Sequence, residues 1–336
     1  MLVLSTQNFA PDDVARLQAA GCTYRYVRPG GDPHGADSEQ FHAGIYALDE
    51  AMRRDVIVLV TPCFHVTPPL LAALPALQWV HHPGAGVNSG PFWTQWGLLD
   101  AHQIVVTTAK IHATPISEWI VAVVLSLAKH LKRYAERQRG HIYHNAEHLP
   151  AMILAGKTAL VIGTGHVGAE TGRKLKLAFG MWTLGINSDG RPVPHFDETY
   201  TLAALDELLP RVDFVICTSA LVEATRGMID ARRLALMRPS AYIVNPSRGG
   251  LIVERDLVAA LQCRRIAGAA LDTFEVEPLP ADSPLWGLDN VVLTPHCSGG
   301  RPDYATAVME RLLANLDAFR AGRRDQMSDV ASLKRY

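Results

Sequence analysis

The sequence has no apolar run long enough to cross a membrane and no cysteine pattern typical of a metal site or disulfide framework. No stretch approaches the roughly 18 consecutive apolar residues that a membrane span requires. The five cysteines are scattered, odd in number and without a CxxC pair, which is typical of reduced thiols. Residues 1–7 also lack the basic region and apolar core of a signal peptide. We therefore expect a cytoplasmic protein that binds no membrane and no metal.

The sequence also lacks an excess of charge of either sign. Its 32 lysines and arginines stand against 33 aspartates and glutamates, giving a formal net charge of −1. No basic footprint for nucleic acid is therefore present. With 48% hydrophobic and 19% charged residues, the composition is typical of a packed globular protein. The 336 residues are enough for two domains of ordinary size.

What the sequence does contain is a glycine-rich motif between a strand pattern and a helix pattern. Thr158–Ile162 is a short run that predicts a buried strand, and residues 167–179 have helical spacing. In the GxGxxG motif between them, the glycines permit a tight turn, the approach of a pyrophosphate and close helix packing. The predicted cofactor-binding residues of this motif, with one more at the end of a later strand, are Gly163, Gly165, His166, Val167, Gly168 and Thr218.

Strand and helix patterns alternate along the chain, which predicts an α/β fold with two domains. Six strands are predicted between residues 158 and 293, with helices in most of the connections, as in a doubly wound parallel sheet. A last helix after the sixth strand would return to the first domain. We therefore assign residues 108–296 to a Rossmann dinucleotide-binding domain, and residues 1–107 and 297–336 to a substrate-binding domain.

A long helix is predicted ahead of the glycine motif. Thr114 and Pro115 form a helix start, and apolar residues then recur at intervals of three and four. One strand–helix–strand unit does not need a helix of this length. Residues 114–150 are therefore either a spine between the domains or a dimerisation arm, and their pattern alone favours neither.

Polar residues that could take part in catalysis follow three of the predicted strands. Arg248 follows one strand, Asp272, Glu275 and Glu277 follow the next, and His296 ends the sixth. A guanidinium binds a carboxylate through two hydrogen bonds or polarises a carbonyl, and histidine exchanges a proton near neutral pH. A glutamate behind the histidine fixes its orientation. Together with a nicotinamide, this set predicts hydride transfer to a 2-keto acid.

A second glycine-rich turn, residues 83–88, follows the predicted strand that ends at His81. Loops at the carboxyl ends of strands are where open α/β sheets bind ligands. This turn is therefore a candidate substrate loop.

Taken together, these motifs resemble the D-isomer-specific 2-hydroxyacid dehydrogenases, the family of D-glycerate, glyoxylate/hydroxypyruvate and D-3-phosphoglycerate enzymes. The resemblance covers nearly the whole chain and is densest from residue 156 to residue 300. It is carried by four segments: Gly163-Thr-Gly-His-Val-Gly168, Val244-Asn-Pro-Ser-Arg-Gly249, Leu271-Asp-Thr-Phe-Glu-Val-Glu-Pro-Leu-Pro280 and Leu293-Thr-Pro-His296. It implies a flavodoxin-like substrate domain built from both chain ends, a Rossmann NAD(P)-binding domain, and a homodimer that uses residues 114–150.

The resemblance also implies roles for individual residues in interconverting a small 2-keto acid and a D-2-hydroxy acid. Arg248 would bind the substrate carboxylate and carbonyl, and His296 would be the general acid/base with Glu277 as its partner. Asp272 would lie near the nicotinamide carboxamide. The backbone N–H groups of the substrate loop would bind the substrate carboxylate through Ala85, Gly86 and Val87.

The choice of cofactor depends on the end of the second strand of the Rossmann domain. An acidic residue there accepts the ribose hydroxyls of NAD, but alignment places the neutral Asn187 at this position. Ser188 and Arg191 could bind the 2′-phosphate of NADP. The prediction is therefore NAD or NADP(H), with NADP(H) favoured, and Asp189 remains an alternative acidic residue that would favour NAD.

Departures from the family pattern leave the substrate open. Asn88 replaces the usual aspartate, the segment 89–100 is longer than usual and carries Trp93 and Trp96, and residues 297–300 differ from the usual sequence. Two other functions remain as alternatives. One is a cofactor-sensing module without catalysis, and the other is a dehydrogenase of another small anion such as formate or phosphite.

Overall fold

The structure is a computed structural model that describes residues 1–31, 37–84, 92–143 and 151–331, with backbone alone for residues 92–96. The chain forms two compact units. Met1–Ile111 with Arg301–Tyr336 is the first, and His112–Gly300 is the second. Each is an α/β unit around a parallel sheet, so the predicted fold class is confirmed. No helix within these ranges is both long and apolar enough to cross a membrane.

The first unit contains a five-stranded sheet in the order β2-β1-β3-β4-β5, which is the flavodoxin-like order. Short runs rich in valine form two of its strands, Val56–Val60 and Val105–Thr108, and these are buried because helices cover both faces of the sheet. The strands are β1 (Leu2–Ser5), β2 (Thr23–Tyr26), β3 (Val56–Val60), β4 (Trp79–His82) and β5 (Val105–Thr108). The helices are α1 (Pro11–Ala19), α2 (Ser38–Phe41), α3 (Ala43–Tyr46), α4 (Glu50–Arg54), α5 (Pro68–Ala73), α6 (Phe92–Ala101) and α13 (Tyr304–Arg320).

His42 and His81 are both fully buried in this unit. The Thr107 hydroxyl accepts a hydrogen bond from Trp79 Nε1 at 2.8 Å and lies 2.7 Å from His81 Nδ1. His42 Nε2 lies 3.2 Å from the hydroxyl of Thr61. Burial lowers the pKa of both histidines to about 4, because a charged imidazole loses its hydration there. Both rings are therefore neutral in the folded protein at neutral pH.

The second unit contains a seven-stranded parallel sheet in the order β12-β11-β10-β9-β6-β7-β8. This is the Rossmann order with one strand added at the β12 edge. The strands are β6 (Thr158–Ile162), β7 (Trp182–Ile186), β8 (Glu198–Tyr200), β9 (Phe214–Cys217), β10 (Tyr242–Asn245), β11 (Gly268–Leu271) and β12 (Val291–Leu293). The helices are α7 (Ala113–Ala128), α8 (Leu131–Arg139), α9 (His166–Phe179), α10 (Leu205–Leu208), α11 (Ala231–Leu236) and α12 (Glu254–Gln262).

The prediction of a single long helix over residues 114–150 is wrong, because two helices lie in this range. Helix α7 begins at Ala113, with Thr114 and Pro115 in its first turn rather than at its cap, and it ends at Ala128. His130 then adopts a left-handed conformation with φ of 55° before α8 begins, which stops helical hydrogen bonding. Residues 144–150 lie outside the described residues. The residues of α7 that face the sheet are buried in the core, whereas α8 has no buried residue.

Candidate active site

The glycine-rich turn after β6 has the geometry that a dinucleotide requires. Gly163 has a φ of +102°, and a Cβ at this position would lie 2.5 Å from the backbone nitrogen of Ser219. A Cβ on Gly168 would lie 2.0 Å from the Gly163 carbonyl oxygen. A Cβ on Gly165 would meet no atom within 4 Å. The two outer glycines therefore allow the turn and helix to pack closely, while the middle glycine faces open space in which a pyrophosphate fits.

The amino terminus of α9 faces the same space. Gly165 is the N-cap and provides no side-chain cap, and His166 and Val167 are the first two helical residues. The first N–H groups of a helix have no partner within the helix and bind anions. His166 is exposed, whereas Val167 packs against the core. Thr218 supports the turn from β9, because its hydroxyl donates to the Gly163 carbonyl at 2.7 Å.

In the loop after β7, the polar side chains of Asn187 and Arg191 form hydrogen bonds mainly to other residues of the same loop. Asn187 Nδ2 donates to the Arg191 carbonyl at 2.9 Å and to the Thr164 hydroxyl at 3.2 Å, and its Oδ1 accepts from the Asp189 backbone. Arg191 Nη1 donates to both carboxylate oxygens of Asp189, at 2.9 and 3.0 Å. Arg191 thereby lowers the pKa of the Asp189 carboxyl. Ser188, Asp189 and Arg191 are exposed, so Asn187 shapes this loop and its neighbours face outward.

Arg248 lies in the turn after β10. The buried Asn245 side chain organises this turn, since its Oδ1 accepts from the Ser247 backbone at 3.1 Å and its Nδ2 donates to the Arg248 carbonyl at 2.9 Å. Burial lowers the pKa of the half-buried Arg248 guanidinium, and the negative charge of Glu277 opposes this effect. Arginine nevertheless stays charged, so a cation faces the loop that carries Glu277.

His296 and Glu277 form a direct contact, with His296 Nδ1 2.6 Å from Glu277 Oε2. The second oxygen of Glu277 accepts from the Phe274 backbone at 3.0 Å, which fixes the carboxylate against its own loop. The side chains of His296 and Glu277 are 49% and 33% exposed. The pair is therefore oriented by hydrogen bonds but remains open to a reactant.

Asp272 is fully buried and holds the turn that carries His296. Its carboxylate accepts hydrogen bonds from the Thr294 hydroxyl and from the backbone N–H groups of Cys297 and Ser298, both at 2.9 Å. The backbone N–H of His296 donates to the Asp272 carbonyl at 2.8 Å. These bonds hold His296 at a φ of 51°, which is uncommon for a residue other than glycine. Thr294 and Ser298 were not predicted as residues of the site, although Thr294 belongs to the Thr-Pro-His motif.

Strand order brings these residues together. In the parallel register, Asn245 of β10 pairs with Leu271 of β11, and Leu271 pairs with Leu293 of β12. The loops with Arg248, Glu277 and His296 therefore leave three adjacent strands at the same level. The predicted substrate-loop residues Ala85, Gly86 and Val87 lie outside the described residues. Within the described ranges, no group of three or more His, Cys, Asp or Glu side chains could hold a metal ion.

A glycine-rich turn between a strand and a helix, at the same sheet edge as a histidine–glutamate pair, is typical of nicotinamide-dependent oxidoreductases. A family model described as "D-isomer specific 2-hydroxyacid dehydrogenase, NAD binding domain" matches residues 121–298. The glyoxylate reductase of Thermococcus onnurineus is 33% identical over 80% of this chain and 81% of its own length. The chain belongs to the D-isomer specific 2-hydroxyacid dehydrogenases, which are NAD(P)-dependent oxidoreductases, so the predicted family and enzyme class are confirmed.

Two solved structures are similar to this chain over nearly its full length. A D-isomer specific 2-hydroxyacid dehydrogenase family protein from Aeromonas salmonicida is 30% identical, with a TM-score of 0.76 and 98% of each chain covered. The NADPH-dependent glyoxylate/hydroxypyruvate reductase of Sinorhizobium meliloti, solved with NADP and sulfate, is 25% identical, with a TM-score of 0.77 and 99% of each chain covered. This chain is similar to both over nearly its full length.

Proposed function

We propose that this protein reduces a small 2-keto acid to the D-2-hydroxy acid, with His296 as the general acid and Arg248 as the substrate-binding cation. The observation that carries the proposal is the 2.6 Å contact between His296 Nδ1 and Glu277 Oε2, on loops beside the one that carries Arg248. Family membership gives the reaction class, and this contact supports His296 as the group that moves a proton.

In this proposal each nitrogen of the His296 ring has its own role. Nδ1 faces Glu277, so Nε2 is the nitrogen that donates a proton to the carbonyl oxygen of the keto acid. Glu277 orients the ring and stabilises its charged form, while Arg248 binds the carboxylate and polarises the carbonyl. NAD(P)H, when bound, supplies the hydride. In the reverse direction, Nε2 accepts the proton of the hydroxyl.

The remaining contacts of the proposed site are assigned by role. The turn residues Gly163, Gly165, His166, Val167 and Gly168, with Thr218 behind them, would hold the pyrophosphate. Asp272 would lie near the nicotinamide and already holds the turn of His296. The backbone of Ala85, Gly86 and Val87 is proposed to bind the substrate carboxylate.

The proposed cofactor is NADP(H), used in preference to NAD(H). No acidic residue stands directly at the end of β7, where Asn187 shapes the loop instead. Ser188 and Arg191 are exposed and can bind a 2′-phosphate, for which Arg191 would exchange its bond with Asp189. The relative from Sinorhizobium meliloti is described as NADPH-dependent, which supports this choice.

We also propose a homodimer that uses residues 114–150. Helix α8 has no buried residue, and its Leu131 and Tyr134 are 52% and 38% exposed, so a partner could cover its apolar side chains. Light scattering after size exclusion should give twice the mass of one chain, and a monomeric mass would remove this part of the proposal.

The test of the reaction is the initial rate of NADPH and NADH oxidation with glyoxylate, hydroxypyruvate, pyruvate, 2-ketoisovalerate and phenylpyruvate. Turnover with any of these substrates supports the proposal, and every product other than the achiral glycolate should be the D-isomer. If no substrate of the panel is turned over although fluorescence confirms cofactor binding, the proposed reaction is wrong. The protein would then be a cofactor sensor or a dehydrogenase of another anion.

Arg191→Ala should raise the KM for NADPH by about tenfold, because it removes one charged hydrogen bond to the 2′-phosphate. The KM for NADH should stay within about twofold, since NADH lacks that phosphate. Asp189→Asn is the matched variant and should lower the KM for NADPH, because it removes the carboxylate that competes for Arg191. Equal effects of Arg191→Ala on both cofactors would contradict the assignment.

Arg248→Lys should lower kcat/KM for the keto acid by about a hundredfold, with a higher KM and a lower kcat. A lysine keeps the positive charge but cannot reproduce the two parallel hydrogen bonds of a guanidinium. Steady-state kinetics with saturating cofactor would measure both constants. Kinetics like those of the wild type would exclude Arg248 from substrate binding.

A further inference from the structure

Two glutamates outside the acid–base pair hold each other's backbone. Glu254 donates its backbone N–H to Glu275 Oε1 at 3.1 Å, and Glu275 donates its backbone N–H to Glu254 Oε2 at 3.1 Å. Glu254 is the first residue of α12, whose N-cap, Val253, has no side-chain acceptor. Glu275 therefore supplies the missing cap from a different loop, at the helix end where negative charge is favoured.

This contact joins the loops of Glu277 and Arg248. A Cβ on Gly249 would lie 1.9 Å from the carbonyl carbon of Phe274, so the backbone after Arg248 lies directly against the backbone before Glu275. Phe274 in turn donates its N–H to the carboxylate of Glu277. The amino end of α12 thus follows the Arg248 loop directly in the chain, and it binds the Glu277 loop through Glu275.

We propose that Glu275 and Glu254 are positioning residues that anchor segment 272–278 on α12 and so keep Glu277 facing His296. This inference rests on the proposed function, because it assigns these two residues to the acid–base pair of that reaction. Neither carboxylate touches the reacting atoms. Their effect on catalysis passes through the place and orientation of Glu277.

The two hydrogen bonds between Glu254 and Glu275, and not the charges of their carboxylates, hold the segment on α12. Two carboxylates at close range repel each other. Burial raises the pKa of Glu254, the hydrogen bond from the Glu275 backbone N–H opposes this, and the negative charge of Glu275 raises the pKa further. A glutamine offers an amide oxygen at the same position without the charge. The structure therefore predicts that Gln substitutes for Glu275 and that Ala does not.

The experiment compares Glu275→Ala, Glu275→Gln and Glu254→Ala with Arg255→Ala. Arg255 lies in the same helical turn, and its side chain is 87% exposed, so it is the matched control. The first readout is hydrogen–deuterium exchange of the backbone amides of residues 272–278, which needs no substrate. The second is kcat, KM and the pH profile of kcat for the keto acid, with cofactor affinity measured by fluorescence.

Both alanine variants should exchange the segment 272–278 faster and lose roughly tenfold to a hundredfold in kcat, because small displacements of an acid–base group are costly. The KM for the keto acid and the cofactor affinity should stay within about twofold. The pH profile should move in the direction produced by Glu277→Gln. Glu275→Gln should restore most of the kcat, and Arg255→Ala should match the wild type.

Unchanged exchange in both alanine variants would overturn the anchor. Faster exchange with unchanged kcat and pH profile would overturn its role in catalysis. A fall in kcat that Glu275→Gln does not restore would also overturn it, because the charge would then be what matters. If the wild type turns over no keto acid, the proposed function fails, and the exchange data still decide whether the anchor exists.

Discussion

Replacing His296 with asparagine should lower kcat by about 10²–10⁴-fold, which is the usual contribution of a general acid. Asparagine keeps a polar side chain against Glu277 but cannot deliver a proton near neutral pH. The turn that would hold the pyrophosphate follows β6, four strands from β12 in the sheet. Cofactor affinity should therefore change by less than about threefold, since those contacts are untouched.

Stopped-flow or steady-state oxidation of the reduced cofactor would measure the loss, and fluorescence titration would measure the affinity. Glu277→Gln is the matched variant because it keeps the hydrogen bond to Nδ1 and removes the charge. Its loss of kcat should be smaller and should depend on pH. Turnover by His296→Asn equal to that of the wild type would remove His296 from the reaction.

Lowering the pH from 7 to 4 should destabilise the protein by several kcal/mol through His42 and His81. Burial lowers the folded-state pKa of both to about 4, from 6.5 in an unfolded chain. For His42 the neighbouring His65 adds to this effect, whereas for His81 the Val308 carbonyl and Asp329 oppose it. Between these pH values the unfolded chain binds protons that the folded chain does not, so stability falls as the pH falls.

The difference between 6.5 and about 4 corresponds to about 3 kcal/mol for each histidine. That is a large part of the roughly 5–15 kcal/mol that holds a domain folded. Denaturant unfolding at pH 7, 6, 5 and 4 would measure it. The slope against pH should be smaller in His81→Gln and in His42→Gln, and unchanged in His102→Gln, whose histidine is exposed. Equal slopes in all four proteins would contradict the assignment.

The sequence predicted the sheet edge better than the details of its loops. The parallel α/β pattern places the ends of successive strands at one edge, so the strand pattern alone was enough to expect Arg248, Glu277 and His296 near each other. By contrast, β8 was missed because Glu198–Tyr200 has only three residues and no buried one. An edge strand with this composition has no apolar pattern to detect.

Two other features depend on contacts that no local pattern reports. The break between α7 and α8 occurs at His130, which has a left-handed backbone conformation. A single histidine is too weak a signal to predict that conformation, since few residues other than glycine adopt it. The place of Asp272 near the nicotinamide stays a prediction, but its hydrogen bonds to the turn of His296 were not expected. The direction of a buried carboxylate depends on which backbone N–H groups the fold places around it.

The position of β9 between β6 and β10 has a consequence for how such a chain can change. The turn after β6, which would grip the dinucleotide, and the loops after β10, β11 and β12 lie on opposite sides of this one strand. We therefore expect that the loops after β10, β11 and β12 can be exchanged together while the turn after β6 stays unchanged. A chimaera that takes residues 242–300 from a relative should inherit its acid–base chemistry and keep the native turn that is proposed to bind the pyrophosphate.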